Sequence, residues 1–398
     1  MLLNQWLPWM GLAPSDPETS DDEEFEIIGV PKLPPPMLEK LGMKSQLDVL
    51  ELPHNKQTDF LNRIYDVLRD LSLSSVVRTL ALRCLQDFCY HFSSLPTPFR
   101  LYDVKFTRVS PMGRGGEATT YRGQMPGEQM NLPGKKVEVV VREMFLTADE
   151  WNSPVGKEVA KLVHREAITH SQLDHSNILR FLGIYHETDV SPPLTIVSYI
   201  PGGSLEALLI PEKLLGAPRF QKILRGINEG VKYLHSLETP VIHGDLHPGN
   251  VLLDKNDCPR LCDFGQSRIR HEVTRTRTKR QAGGRARFLA PELTESPADQ
   301  FRTTWQSDIH SFGMLLLNMW TGERPFSDVE HEWQVSAKLV DGKRPKRPCG
   351  TSIQINLDKS VEGDFWNLLV KMWAQDPMKR PPSGMLYERF REMFPDKV

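Results

Sequence analysis

The chain contains no run of about 18 or more apolar residues, so nothing in its 398 residues reads as a helix that spans a bilayer. Cysteine is scarce and odd in number: Cys84, Cys89, Cys258, Cys262 and Cys349. Thiols so scattered make a poor disulfide framework and point to a reducing compartment. No CxxC pair occurs, which removes the common zinc spacings. An excess of one charge is missing too, since 49 Lys and Arg face 51 Asp and Glu for a net charge of −2. A balance of that kind supplies no global field to draw in nucleic acid or an anionic membrane, so neither is expected as a partner. The N-terminal stretch MLLNQWLPWMGLAP is apolar but short. It has no basic leader and is broken by Asn4, Gln5 and Pro8, so it does not read as a signal peptide. A soluble cytoplasmic protein is expected.

What is present suits a packed core, with 39% hydrophobic and 25% charged residues. Residues 1–36 hold Pro14, Pro17, Pro31 and the prolines at 34–36 around the acidic run Asp21-Asp22-Glu23-Glu24-Phe25-Glu26. Such a segment buries too little apolar surface to offset its ordering entropy, which predicts a disordered tail. Residues 57–93 predict two amphipathic helices. Thr58 is placed to cap the first, whose face carries Leu61, Ile64 and Leu68. Ser74 or Ser75 starts the second, striped by Val77, Leu80, Cys84, Leu85 and Phe88 and ended by Pro96 and Pro98. Two short helices cannot bury both faces alone, and the following domain is the nearest partner. Beyond residue 104, strands are expected at Val137, Val139 and Val141, at 178–185 and at 194–200, with a helix over 156–173 among them. After Pro201-Gly202-Gly203 the pattern turns helical, at 219–236, 305–321 and 361–374. Strands first and helices afterwards predict an α+β body of two lobes.

The strongest chemical signal is His243-Gly244-Asp245-Leu246-His247-Pro248-Gly249-Asn250, then the strand Val251-Leu252-Leu253, then Leu261-Cys262-Asp263-Phe264-Gly265. A carboxylate that accepts a hydroxyl proton must stand beside oxygen ligands for a hard cation, and this string supplies both. These residues resemble the catalytic loop and metal-binding motif of protein kinases. The resemblance implies that Asp245 is the base, that Asn250 and Asp263 hold Mg²⁺, and that ATP is the phosphate donor.

The fragment HGDLHPGN is similar to aminoglycoside and choline phosphotransferases as well, so other motifs must decide. Ala290-Pro291-Glu292 resembles the close of an activation segment. Ser307-Asp308-Ile309-His310-Ser311-Phe312-Gly313 resembles the start of the buried large-lobe helix. Trp373, Asp376-Pro377 and Arg380-Pro381 resemble the tyrosine-kinase-like C-terminal motif, and the likeness implies a buried Glu292–Arg380 ion pair. In the small lobe, the stretch from Met112 to Gly123 resembles a glycine-rich loop, with Gly113, Gly115 and Ala118 in the three glycine places. Glu166 matches the glutamate of the small-lobe helix. By the same likeness Thr120, Val140, Val197, Tyr199 and Leu252 surround the adenine, with Val197 at the gatekeeper place. His170, Phe181, His243 and Phe264 fall on the internal spine, packed rather than catalytic. The resemblance covers roughly 104–394, with a small lobe to 200 and a large lobe from 201. Residues 57–93 resemble the extension that precedes kinase domains in the tyrosine-kinase-like group expanded in mushroom-forming fungi.

The departures from that pattern cluster around phosphate. Arg142 stands in the place of the phosphate-gripping lysine that pairs with Glu166, and a shifted register puts Val140 there instead. Arginine keeps the charge, but its planar fork is larger and orients differently. Val140 narrows the adenine slot, Thr120 replaces the usual valine, and Glu117 brings negative charge to the loop tip. Gly244 replaces an arginine that reads an activation-loop phosphate, which removes the usual phosphorylation switch. His247 and Arg285 replace a lysine and a threonine of serine/threonine kinases. Two functions are therefore carried forward. The first is phosphoryl transfer from ATP to a protein hydroxyl, and the alternative is a pseudokinase scaffold. The basic segment 268–287 is expected to be a solvated loop, and the acidic run 21–26 could dock on it.

Overall fold

The computed structural model describes residues 35–43, 49, 51–70, 72–114, 118–145, 148–151, 153–188, 191–209, 215–237, 240–263, 285–295, 303–348, 355 and 357–395. Gly115, Glu117, Phe264, Gly265, Cys349, the acidic run 21–26 and most of the basic segment lie outside these residues.

Helices α1 (Pro35–Lys40), α2 (His54–Arg69) and α3 (Ser75–Phe92) come first. Strands β1 (Arg100–Leu101), β2 (Lys105–Arg114), β3 (Ala118–Pro126) and β4 (Lys136–Met144) follow, then helix α4 (Pro154–Ser171) and strands β5 (Phe181–Tyr185) and β6 (Leu194–Ser198). The six strands form one sheet in the order β1-β5-β6-β4-β3-β2. Alternation explains its inner face: Val139 and Val141 are buried and pack with Tyr121, Met125, Leu194 and Ile196.

The larger lobe holds α5 (Ala217–Ser236), the hairpin β7 (Val251–Leu253) and β8 (Pro259–Leu261), and helices α6 (Trp305–Thr321), α7 (Glu332–Val340), α8 (Lys359–Met372) and α9 (Ser383–Met393). Helix α6 is buried from Ser307 to Thr321, as expected of a helix apolar all round. A Thr304–Ser307 capping box starts it, and Gly322 ends it at φ 70°. The body is thus a mixed-sheet lobe with one main helix, joined to a helical lobe. Among the described residues, no helix is long and apolar enough to cross a membrane.

The extension finds its partner in α4. Phe60, Leu61 and Ile64 of α2, Ala81, Cys84, Leu85 and Phe88 of α3, and Val159, Val163, Ala167 and Ile168 of α4 share one core. Phe60 and Phe88 meet edge to face at 5.2 Å. Gln86 Nε2 donates to Thr169 Oγ1 at 2.6 Å, and Tyr90 donates to Glu158. Ser74 caps α3 by accepting from the Val77 amide. The expected cap of α2 is corrected. That helix begins at His54 after Pro53, a turn earlier, because a proline with φ already near the helical value seats its start. Thr58 is inside it, with Oγ1 3.4 Å from Ser94 Oγ.

Candidate active site

The loop before β7 is hung on one buried carboxylate. Asp308, at the start of α6, is 1% exposed. Its Oδ2 accepts from the His243 amide at 2.8 Å and from His235 Nε2 at 2.9 Å, and its Oδ1 accepts from the Gly244 amide at 2.7 Å. Gly244 sits at φ 75°, where a side chain is strained, so the arginine usual at this place would be costly here. The next residue, Asp245, has an amide that donates to His243 Nδ1 at 3.3 Å. His243 is fully buried, a packing position.

Asp245 and Asn250 are brought together directly. Asn250 Nδ2 donates to Asp245 Oδ2 at 3.0 Å and to the Asp245 carbonyl at 2.9 Å. With its amide nitrogen so held, Asn250 turns Oδ1 the other way. The Cys262 amide donates to the Asn250 carbonyl at 3.0 Å, which seats Asp263 beside it. β8 is fixed in turn, because the Leu261 amide donates to Asn177 O and Leu261 O accepts from the Leu179 amide, both at 2.8 Å. Asp263 adopts φ 59°, a left-handed conformation that Asp tolerates better than most residues and that collects at functional sites. Arg142 on β4 is turned onto it, with Nε 3.7 Å from Asp263 Oδ1.

Beside these groups lies a small apolar cluster. Val140 of β4 pairs in register with Val197 of β6. Both pack with Leu179 and Ile200 and, from the other lobe, with Leu252 and Cys262. Burial pushes the Cys262 thiol well above its ordinary range, so it serves as packing. Tyr199, next along the hinge, carries the Arg122 guanidinium over its ring at 4.5 Å. Thr120 Oγ1 donates to the Gly113 carbonyl at 3.3 Å across β2 and β3. Among the described residues, a methyl group at Gly113 would meet only Thr120 Oγ1, at 3.4 Å. Ala118 is buried on β3 opposite Met144.

Glu166 is half-buried on α4, one turn before His170 and hence on the same face. His170 Nε2 pairs with the Leu179 carbonyl at 2.8 Å, and its ring lies 5.2 Å from Phe181. That face therefore looks toward Leu179 and β5. For a cation, the Asp263 carboxylate and Asn250 Oδ1 are hard oxygen donors. Among the described residues, no cluster of three or more His, Cys, Asp or Glu could hold a metal alone. The pair suits an ion that keeps waters and takes the rest of its ligands from a nucleotide's phosphates.

Two residues carry the site without having been singled out in the sequence for these contacts. Asp308 could have been found as a lone acid opening an otherwise apolar helix. Arg287 was expected in a solvated loop, and the structure corrects this. It is 6% exposed, and its guanidinium donates to the carbonyls of Pro325, Phe326, Val329 and Glu330 and to Glu332 Oε1. Four carbonyls turned inward need a donor, and a fixed fork of N–H groups supplies it.

Residues 106–389 match the family model described as protein kinase domain, and the chain belongs to that family. Among curated relatives, it is 30% identical to receptor-interacting serine/threonine-protein kinase 2 of Bos taurus, over 62% of this chain and 45% of that protein. It is 29% identical to the L-type lectin-domain containing receptor kinase VII.1 of Arabidopsis thaliana, over 72% of this chain and 40% of that one. It is 25% identical to the probable serine/threonine-protein kinase pats1 of Dictyostelium discoideum, over 72% of this chain but 8% of that protein. The chain thus spans less than half the length of each. A kinase domain implies ATP and a divalent metal ion.

Proposed function

We propose that this chain is an ATP-dependent protein kinase that phosphorylates a protein hydroxyl, with Mg²⁺ as its metal ion and a cytoplasmic setting. The observation that carries it is the junction of Asp245, Asn250 and Asp263, joined through the Asn250 amide and the Cys262–Asn250 hydrogen bond. The acceptor hydroxyl gives its proton to Asp245 as its oxygen bonds to the γ-phosphorus. The bond from that phosphorus to the bridging oxygen breaks, and ADP leaves. Asn250 and Asp263 would hold magnesium, which neutralises phosphate charge when bound. Arg142 and Glu166 would position the phosphates, and Gly113, Gly115 and Ala118 the loop over them. Val140, Val197, Tyr199, Leu252 and Thr120 would enclose the adenine. The four described thiols are free, in keeping with a reducing compartment.

Within the family we place the chain in the tyrosine-kinase-like group, on Trp373, Asp376-Pro377 and Arg380-Pro381, with 57–93 as its extension and 104–394 as its catalytic unit. A docking of the acidic run 21–26 on the basic segment 268–287 is proposed from charge alone.

One observation favours a scaffold without turnover: the Arg142 guanidinium stands where it competes with a metal for Asp263. Transfer of label from radioactive ATP separates the two readings. Wild type should label a protein substrate, Asp263→Ala should abolish the signal, and Arg142→Lys should raise it. Equal background in all three would leave only the scaffold.

A further inference from the structure

Arg285 lies where the proposed base must meet its substrate. Its Nη1 is 3.5 Å from Asp245 Oδ2. The same oxygen accepts from Asn250 Nδ2 at 3.0 Å and stands 3.5 Å from His247 Nε2. The Asp245 side chain is 10% exposed, whereas that of Arg285 is 31% exposed, so the guanidinium is the reachable member of the pair.

The backbone at Arg285 is fixed. Its carbonyl accepts from the Phe288 amide at 3.0 Å, closing a turn. Two residues on, Arg287 is locked by its buried hydrogen bonds to four carbonyls and Glu332. The guanidinium is therefore delivered to Asp245 by a rigid turn.

A neutral hydroxyl that approaches Asp245 must take over part of the carboxylate that Arg285 now shares. The cation is then left in a partly dry place with less counter-charge, which is unfavourable. An acceptor that brings its own anion gives the guanidinium a replacement partner, and the exchange conserves charge. Guanidinium forks suit carboxylate and phosphate alike. The sequence around it has the matching sign, with eight Lys or Arg against one Glu between 268 and 287.

Resting on the kinase reading above, we infer that Arg285 is a specificity-determining residue. It selects hydroxyls that have a carboxylate or phosphate group on the neighbouring residue.

The test uses the full chain and three peptides that share one acceptor hydroxyl, flanked by a neutral residue, an aspartate or a phosphoserine. Wild type should prefer an anionic flank about tenfold in kcat/KM, equivalent to about 1.4 kcal/mol. Arg285→Thr should bring that ratio close to one and raise kcat on the neutral peptide, a change that mere loss of folding would not produce. Arg285→Lys should keep part of the preference. The aspartate and phosphoserine arms tell which anion is read. Equal use of all three peptides by wild type, or a preference that survives Arg285→Thr, overturns this inference while the kinase reading stands. No transfer by wild type and Arg285→Thr alike overturns both.

Discussion

Arg380 is the largest charged side chain sealed inside the lobe of α6, and its fork is fully used. Nη1 and Nη2 bind Glu292 at 2.7 and 2.8 Å, while Nε donates to the Ala374 carbonyl and Nη1 to that of Gln306. The guanidinium side chain is 0% exposed and the carboxylate 28%. Its removal strands Glu292 and two carbonyls, and breaking such a pair typically costs about 3–5 kcal/mol. Arg380→Ala should therefore lower the urea midpoint by an amount equal to about that loss, read by equilibrium unfolding. A shift below about 1 kcal/mol would mean that solvent at Glu292 screens the pair, as at a surface. This ion pair was legible in the sequence because both partners are side chains within motifs. Asp308 and Arg287 were not, because their contacts are mostly with backbone amides and carbonyls, which every residue carries and no letter marks.

At the scale of elements, the main event is the seating of α3 on α4. The stripe Cys84, Leu85 and Phe88 announces a buried face. Periodicity cannot say what covers that face, and the answer is the helix that carries Glu166. The misplaced start of α2 has a similar origin. Thr58 looks like a cap by type, but Pro53 already fixes the turn that starts the helix. Phe88 is completely buried against Phe60 and Phe92. Phe88→Ala should cost about 3–5 kcal/mol, seen in a denaturant midpoint. The loss should also reach catalysis, since α4 loses the support behind Glu166. Peptide phosphorylation measured well below the unfolding midpoint should fall several-fold in kcat. Full turnover by a destabilised variant would separate the extension from the active site.

For the molecule as a whole, the two-lobed body followed from strands giving way to helices and from motifs spaced across both lobes. The closeness of Arg142 to Asp263 did not, because it depends on how a side chain turns within a cleft. Nor did the acid sensitivity built into the small lobe. His164 and His170 are buried along α4, where desolvation pushes their pKa values down to about 3 and about 4. The charges of His186 and Arg100 add to the effect at His164; at His170 the Leu179 carbonyl and Asp263 oppose it, and Arg142 adds to it. Both rings are thus neutral in the folded chain at any pH above these values. In the unfolded chain they take up protons below about pH 6.5, so that state binds more protons as acid is added. Stability is complete above this point and falls as pH drops, by about 1.4 kcal/mol per pH unit for each histidine. Between about pH 6.5 and about pH 5 the two together should remove roughly 3 kcal/mol. Neither ring nitrogen of His164 has a hydrogen-bond partner among the described residues, so His164→Leu discards a burdened group without breaking a contact of that kind. The variant should match or exceed wild type at about pH 7 and lose less on acidification by one histidine's share, as followed by urea unfolding at each pH, since the buried rings of His170, His243 and His310 still resist protonation in the folded chain. Parallel stability curves for the two proteins would show that His164 becomes protonated without unfolding, and that water reaches the back of α4.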